Sequence, residues 1–301
     1  METLVIGSTV VDVVLRVPAL PRTGEDLNIL GQTLSLGGCA FNVYHTLALF
    51  GAPALLCSPV GGGLYGGFVR RELARRRIAT GLPQVAQPNG CCYCLVDPSG
   101  ERTFLCSRGA EYVFRREWLQ VLPQAESAYV CGLELEEDSG EELLGFLEER
   151  RFPRLYFAPG PRIASLPPRR LERLFALHPL LHLNEGEALG YTGAASLAQA
   201  GRALQQQTGR SVVITLGSRG AYVRCGQKEK ILPGEPARVV DTIGAGDSHI
   251  GAVIACCEQG MDLERAVARA NRVAWAVVQQ PGALLPQANF SALFEAENEK
   301  N

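Results

Sequence analysis

Short apolar runs alternate with helix-period segments along most of the 301 residues. That is the pattern of a largely parallel sheet covered by helices on both faces, an α/β protein. The runs Thr3–Gly7, Ala54–Pro59, Ala128–Gly132, Arg154–Ala158, Leu180–Asn184, Ser211–Gly217 and Ala221–Cys225 are each bounded by Gly, Pro or polar residues, as buried strands are. Glu141–Arg150 carries Leu143, Leu144, Phe146 and Leu147 at helical spacing, and Ser196–Gln207 has a small-residue face with Ser196 as its cap. Both read as crossover helices. Two stretches depart from the pattern, Val13–Leu36 and Gly90–Phe104. In the second, Asp97-Pro98-Ser99-Gly100 supplies turn chemistry between two β-rich arms, so a hairpin is expected. Together the two stretches predict a small separate sheet. The acidic tail Glu295–Asn301 is expected to fray, and no internal repeat or linker divides residues 1–301, which read as one domain.

The N-terminal run Leu4–Leu15 lacks a basic leader and a cleavage site and is interrupted by Asp12, so it reads as a buried strand. No run approaches the ~18 apolar residues of a membrane span. A membrane partner is not expected. With 47% hydrophobic and 20% charged residues the chain has the composition of a folded globular protein. Its formal charge of -2 excludes the basic excess that nucleic acid demands. The ten cysteines are sparse for this length, and several lie in apolar runs such as Ala255-Cys256-Cys257, which points to a reducing, cytoplasmic setting. Cys91, Cys92 and Cys94 lack the spacing of a metal site. Strand alternation puts Cys92 and Cys94 on one face, where packing accounts for them. His45, His178, His182 and His249 read as scattered residues, with His249 packed rather than catalytic.

The most informative segment is Val239-Val240-Asp241-Thr242-Ile243-Gly244-Ala245-Gly246-Asp247-Ser248, followed by a small and apolar series. It reads as strand, glycine turn, helix. Such a turn aims backbone N–H groups at one point, an anion site suited to phosphate. A carboxylate there repels a resting phosphate, so Asp247 makes more sense as a base that takes a proton from an attacking hydroxyl. The bland alternative is a tight turn with Asp247 as helix cap. A Walker A loop is excluded, because it needs Gly-Lys-Ser/Thr and the only lysines are Lys228, Lys230 and Lys300. Gly61, Gly63 and Gly66 fit a dinucleotide loop, but the acidic residue wanted ~20 positions on is missing.

Asp241–Asp247 resembles the C-terminal signature of the ribokinase-like (PfkB) family of sugar and nucleoside kinases. Other segments agree in order: Gly37-Gly38-Cys39-Ala40-Phe41-Asn42 resembles its N-terminal Gly-Gly motif, Asn184-Glu185-Gly186-Glu187 its Asn-x-x-Glu motif, and Thr215-Leu216-Gly217-Ser218-Arg219-Gly220 its nucleotide loop. The resemblance implies a three-layer α/β/α domain with a small β-sheet lid, drawn from segments within about 13–36 and 90–107. It implies an ATP-dependent kinase. Asp247 would be the general base; Gly244, Ala245 and Gly246 the anion hole; Asn184 and Glu187 the organisers of Mg²⁺ and its waters, Glu187 as the metal-side carboxylate. Thr215, Gly217, Gly220 and Asn271 would line the nucleotide site, and Asp12, Gly38 and Asn42 would hold acceptor hydroxyls, with Asp12 at the end of the first strand. A monovalent cation (K⁺) among backbone carbonyls near Asp241, Ile243 and Gly282, and a homodimer through the lid, are further implications.

Each residue also has a structural reading: Asn42 as cap of a helix Val43–Phe50, Asn184 as cap of a helix with Glu187 in its first turn. Departures from the family pattern fall on the acceptor side. Gly61-Gly62-Gly63-Leu64-Tyr65-Gly66 lacks the family's Asp, and of Asp-x-Asn-x-Arg only Arg162 is present. These departures leave the phosphoryl-transfer residues intact and the sugar specificity open, and the leading reading is a kinase acting on a primary hydroxyl of a small sugar or sugar acid. The alternative is a nucleoside, with Tyr93, Phe104 and Tyr112 as candidates for a base shelf. A further alternative is a non-catalytic sugar or nucleotide sensor, which the retained Asp247 argues against.

Overall fold

The computed structural model describes residues 2–298. Chain order begins with β1 (Thr3–Ile6), β2 (Val10–Arg16), β3 (Gly31–Gly37), α1 (Cys39–Leu49), β4 (Ala54–Cys57), β5 (Val60–Gly62), α2 (Gly63–Arg75), β6 (Gln84–Pro88), β7 (Cys91–Val96) and β8 (Arg102–Ser107). It continues with α3 (Arg116–Gln120), β9 (Ser127–Cys131), α4 (Gly140–Arg150), β10 (Arg154–Ala158), α5 (Pro168–Phe175), β11 (Leu180–Asn184), α6 (Glu185–Thr192) and α7 (Leu197–Thr208). The last elements are β12 (Val212–Thr215), β13 (Ala221–Cys225), β14 (Lys228–Leu232), α8 (Ala245–Glu258), α9 (Leu263–Val277) and α10 (Gln287–Asn298). The acidic tail thus continues a helix to Asn298, and 299–301 lie outside the described residues.

Among the described residues eight strands form one sheet in the order β14-β13-β12-β11-β10-β9-β1-β4, parallel from β4 to β12 and antiparallel at β13 and β14. Successive residues of a strand face opposite sides, and two cores result. Val5, Tyr129 and Val213 pack with α1, α8 and α9, whereas Leu4, Ile6, Val130, Leu181 and Ile214 pack with α4, α5 and α7. The three-layer α/β/α architecture follows.

A second sheet has the order β3-β2-β7-β8. The N-terminal apolar run is therefore two strands in two sheets, since Gly7 takes φ +151° and breaks it before Ser8 and Thr9. Asp12 lies in the middle of β2, not at the end of the first strand. The Val11, Val13, Leu36 and Cys91 face of this small sheet joins the main core, so its Asp12 face is left for another use. The strand expected at Val239–Val240 does not form. Those residues are extended chain, 61% and 50% exposed, tied to α9 only by Val240 N–H donating to Val278 O. The glycines 61–66 are explained by packing: a Cβ on Gly66 would stand 2.0 Å from Gly61 O.

Candidate active site

Parallel strands bring their carboxyl ends to one edge, and in open α/β sheets ligands bind there. β1 and β9 are neighbours, and the chain just beyond them carries Ser8 and Glu134, with Gly38, which follows β3, against Ser8. Gly38 has φ +98° and begins α1, where a Cβ would lie 2.5 Å from Ser8 O. A Cβ on Gly37 would lie 1.9 Å from Asp12 Oδ2, so the glycine pair makes room for that carboxylate. Asn42 is already inside α1 rather than capping it. Its Nδ2 donates to Asp247 Oδ2 at 2.8 Å. The two helices come this close because Gly251, one turn beyond Asp247, sits against Thr46, one turn beyond Asn42, with room for no side chain.

Asp247 is the third residue of α8, not its cap; the cap is Gly244 at φ +72°. The first N–H groups of a helix have no intrahelical partners, and they carry the positive end of the helix dipole. Gly246 has nothing within 4 Å of where a Cβ would be, leaving open space over those N–H groups. Burial pushes Asp247 up to about 6, although donors from Asn42 and the Cys39 thiol pull the other way. Asp12 rises to about 7, first by burial and then through the charge of Asp247. Asp247 is thus mainly ionised at neutral pH yet basic enough to take a proton.

A cavity of about 240 Å³ lies on the other side of the α8 N-terminus and is lined by Thr215, Gly217, Gly220, Ala245, Gly246 and Asn271, with Trp275 at its side. The structure thus brings together the residues expected to hold nucleotide, save Asn184. That side chain accepts from Glu187 N–H at 2.8 Å while Glu187 Oε2 accepts from Asn184 N–H at 2.9 Å, a reciprocal capping box. Neither residue lines the cavity, although Asn184 is in register with Thr215, which does. Two of the histidines read as scattered meet here. Asn271 Nδ2 donates to the carbonyls of Leu232 and Pro233, so its Oδ1 must accept from His249 Nε2 at 3.0 Å. His249 Nδ1 is then the acceptor for His182 Nε2 at 2.8 Å. Burial holds both imidazoles neutral, with His249 lowered to about 4.

With this geometry in view, the pattern described as pfkB family carbohydrate kinase matches residues 2–289. The chain belongs to the pfkB family of carbohydrate kinases. It is 34% identical over 292 residues to the uncharacterized sugar kinase YegV of Escherichia coli (strain K12), covering 95% of this chain and 91% of that protein. Among solved structures it is similar to ribokinase from Thermotoga maritima, with a TM-score of 0.85 at 20% identity over 98% of this chain and 99% of that one. It is also similar to Burkholderia thailandensis nucleoside kinase in complex with inosine, with a TM-score of 0.78 at 20% identity over 98% of each chain. The fold of this pfkB family kinase is thereby the ribokinase fold, and the protein is a carbohydrate kinase.

Three further residues of this candidate site were not singled out in the sequence. Glu134 is fully buried; its Oε1 accepts from Ser8 N–H at 2.8 Å, and its Oε2 has no partner among the described residues. Ser8 Oγ, Thr9 Oγ1, Asn42 Oδ1 and the Tyr129 hydroxyl are likewise buried and unpartnered. Such a group of polar atoms is costly unless a ligand or water pairs with it. An acid between two leucines just past a parallel strand does not single it out in the sequence, because Glu136, Glu137 and Asp138 follow directly. Cys39, donor to Asp247, was read only as part of a motif. Arg102, on β8, forms a salt bridge with Asp241. Of the three aromatic candidates, Tyr93 points away, its hydroxyl 2.9 Å from that of Tyr65 on α2, and Tyr112 is buried. Phe104 alone shares the Asp12 face and is exposed. On that face Cys92 lies beside Asp12, and its sulfur is 3.6 Å from that of Cys106.

Proposed function

We propose that this kinase transfers the γ-phosphoryl group of ATP to a primary hydroxyl of a small sugar or sugar derivative. The observation that carries the reading is Asp247: an ionised, proton-accepting carboxylate at a glycine-opened helix start, with a cavity of nucleotide character on one side and the Asp12 face of the small sheet on the other. The acceptor hydroxyl gives its proton to Asp247. Its oxygen bonds to the γ-phosphorus as the bond from that phosphorus to the bridging oxygen of ADP breaks. Of the turn Gly244-Ala245-Gly246 expected to form the anion hole, Ala245 N–H donates to Thr242 O at 3.3 Å, and the N–H groups of Gly246 and Asp247 face the charge that builds on the transferring group. Asn42, fixed by its bond to Asp247, offers its free Oδ1 to an acceptor hydroxyl, and Asp12 and Glu134 offer carboxylate oxygens.

Among the described residues no cluster of three or more His, Cys, Asp or Glu could hold a metal. Mg²⁺ at nucleotide sites is held mostly by phosphates and water, with one or two carboxylates. Glu187, whose second carboxylate oxygen is not used in the capping box, and Asn184 would order its waters, and the ion would supply charge neutralisation between the phosphates. The small sheet acts as a lid over the acceptor and keeps water from the γ-phosphate. Its outer strands expose Leu34 and Leu105, which supports pairing with a second copy. Ten unbridged cysteines support a cytoplasmic setting.

The test is an ADP-release screen with ATP and Mg²⁺ against sugars, sugar acids and nucleosides, with Asp247→Asn alongside. Turnover on sugars that falls by about 10²–10⁴ in the variant is expected for a lost general base. Turnover confined to nucleosides would favour the second reading, which the exposed Phe104 ring supports as a base shelf. Nucleotide or sugar binding with no turnover on any panel would turn the reading into a sensor.

A further inference from the structure

The turn before α8 is organised by Asp241. Its Oδ1 accepts from Ile243 N–H at 2.7 Å and its Oδ2 from Gly282 N–H at 2.7 Å, so one carboxylate ties the turn to the segment after α9. The side chain is only 7% exposed. A buried carboxylate that stays charged requires a cationic partner, because two neutral donors do not repay its lost hydration. The family resemblance puts a monovalent cation here, among backbone oxygens near Asp241, Ile243 and Gly282. The residues present do not fit it. The N–H groups of Ile243 and Gly282 already fill an acceptor position on each carboxylate oxygen. The position against Oδ1 is taken by the Arg102 guanidinium, itself 14% exposed, with Nε buried and unpartnered. A guanidinium and a dehydrated cation cannot share that oxygen.

We infer that Arg102, carried by β8 of the small sheet, is the resident counter-charge of Asp241 and a positioning residue for the anion-hole turn, so that the chain needs no monovalent cation there. The charge is delivered from the sheet that also carries Asp12: β8 pairs with β7 and β7 with β2. Seating that sheet on the body and ordering the N–H groups of α8 are therefore one event. The hairpin Asp97–Gly100 sets the register that aims Arg102, with Asp97 Oδ1 accepting from Ser99 N–H at 2.8 Å. The kinetic meaning of the inference rests on the proposed kinase reading, but its structural content does not.

The experiment compares melting of the full chain in potassium chloride and in tetramethylammonium chloride at equal ionic strength, with ADP–Mg²⁺ binding followed calorimetrically in the same buffers. The wild type is expected to melt within about 1 °C in the two salts, because a ligand that does not bind the native state does not stabilise it. Arg102→Met should melt lower in tetramethylammonium and regain about 3 °C or more in potassium, as a small cation binds the exposed carboxylate. Arg102→Lys, which keeps a charge at the site, should remain indifferent to the salt. Potassium-selective stabilisation of the wild type overturns the inference even if no variant folds, and so does an Arg102→Met protein that ignores the salt. Failure of ADP to bind in either salt counts against the kinase reading alone, since the melting comparison needs no nucleotide.

Discussion

Three carboxyl groups crowd one small site, and burial acts on each in the same direction. Asp247 stands at about 6, and Asp12 and Glu134 at about 7. A base works only when ionised, and the ionised fraction of Asp247 declines as the pH falls through about 6. The acid limb of kcat/KM should then lie between about 6 and 7, losing about tenfold per unit below it. Asp12 contributes to where the limb sits, because a neutral Asp12 holds acceptor hydroxyls less well and withdraws a negative charge from Asp247. Asp12→Asn should therefore raise KM and move the limb down, with Asp247 and Glu134 left to titrate. A pH profile with no acid limb above 5 would remove Asp247 as the base. At this scale the motif residues were legible in the sequence, because glycine, asparagine and aspartate at fixed spacing have few other uses. Glu134 and Arg102 were not: one is joined to the site by a sheet crossing, the other by a hairpin whose reach depends on how two sheets pack.

The glycines of the α8 turn do two different jobs, and the structure separates them. Gly244 sits at φ +72°, and its Cβ would lie 2.4 Å from Ala283 Cβ. Gly246 is helical with open space before it. Gly244→Ala should destabilise the chain by about 1–3 kcal/mol, the cost of a left-handed residue plus a clash. Gly246→Ala should leave stability unchanged or raise it by up to about 1 kcal/mol, since alanine is the better helix former. Yet its methyl fills the space over the helix N–H groups, so phosphoryl transfer should drop by about 10²-fold or more, the scale of losing one oxyanion donor. Urea unfolding and initial rates on the same two variants read both effects. A Gly246→Ala enzyme of full activity would mean that no phosphate rests there. Most elements were legible from their apolar period, including the hairpin and both crossover helices. The strand expected at 239–240 failed because two valines carry high β-propensity but here find no neighbouring strand, and propensity without pairing does not make a sheet. The Asn184 and Glu187 pair shows the opposite: the same residues satisfy a capping box and a ligand motif, and the helix end uses them.

At the scale of the whole molecule, the proposed acceptor site lies between bodies with different anchoring. The main sheet is buried on both faces, whereas the small sheet is buried on its Val11 and Val13 face and presents Asp12, Cys92, Phe104 and Cys106 on the other. No length of sequence pattern reveals that this second face points at Asp247, because the relation is set by the packing of α1 on α8 and of α2 on β2. The arrangement supplies its own probe. Cys106 and Cys225 are the exposed thiols among the described residues. The Cys92 thiol beside it, and further the charges of Arg162 and Arg108, hold Cys106 below the usual thiol range, which favours the reactive thiolate. Cys225 ends β13, beside the edge strand β14 of the main sheet. Alkylation read by mass spectrometry should therefore modify Cys106 first, and a true acceptor should slow that reaction by about tenfold at saturation, following the fraction of sites left open. The rate at Cys225 should not change. ATP alone, in the proposed nucleotide cavity on the other side of α8, should protect neither. An acceptor that supports turnover but leaves Cys106 as reactive as before would place the sugar away from the Cys106 end of this face, and the specificity would then have to come from the Asn42 and Glu134 side of the cleft.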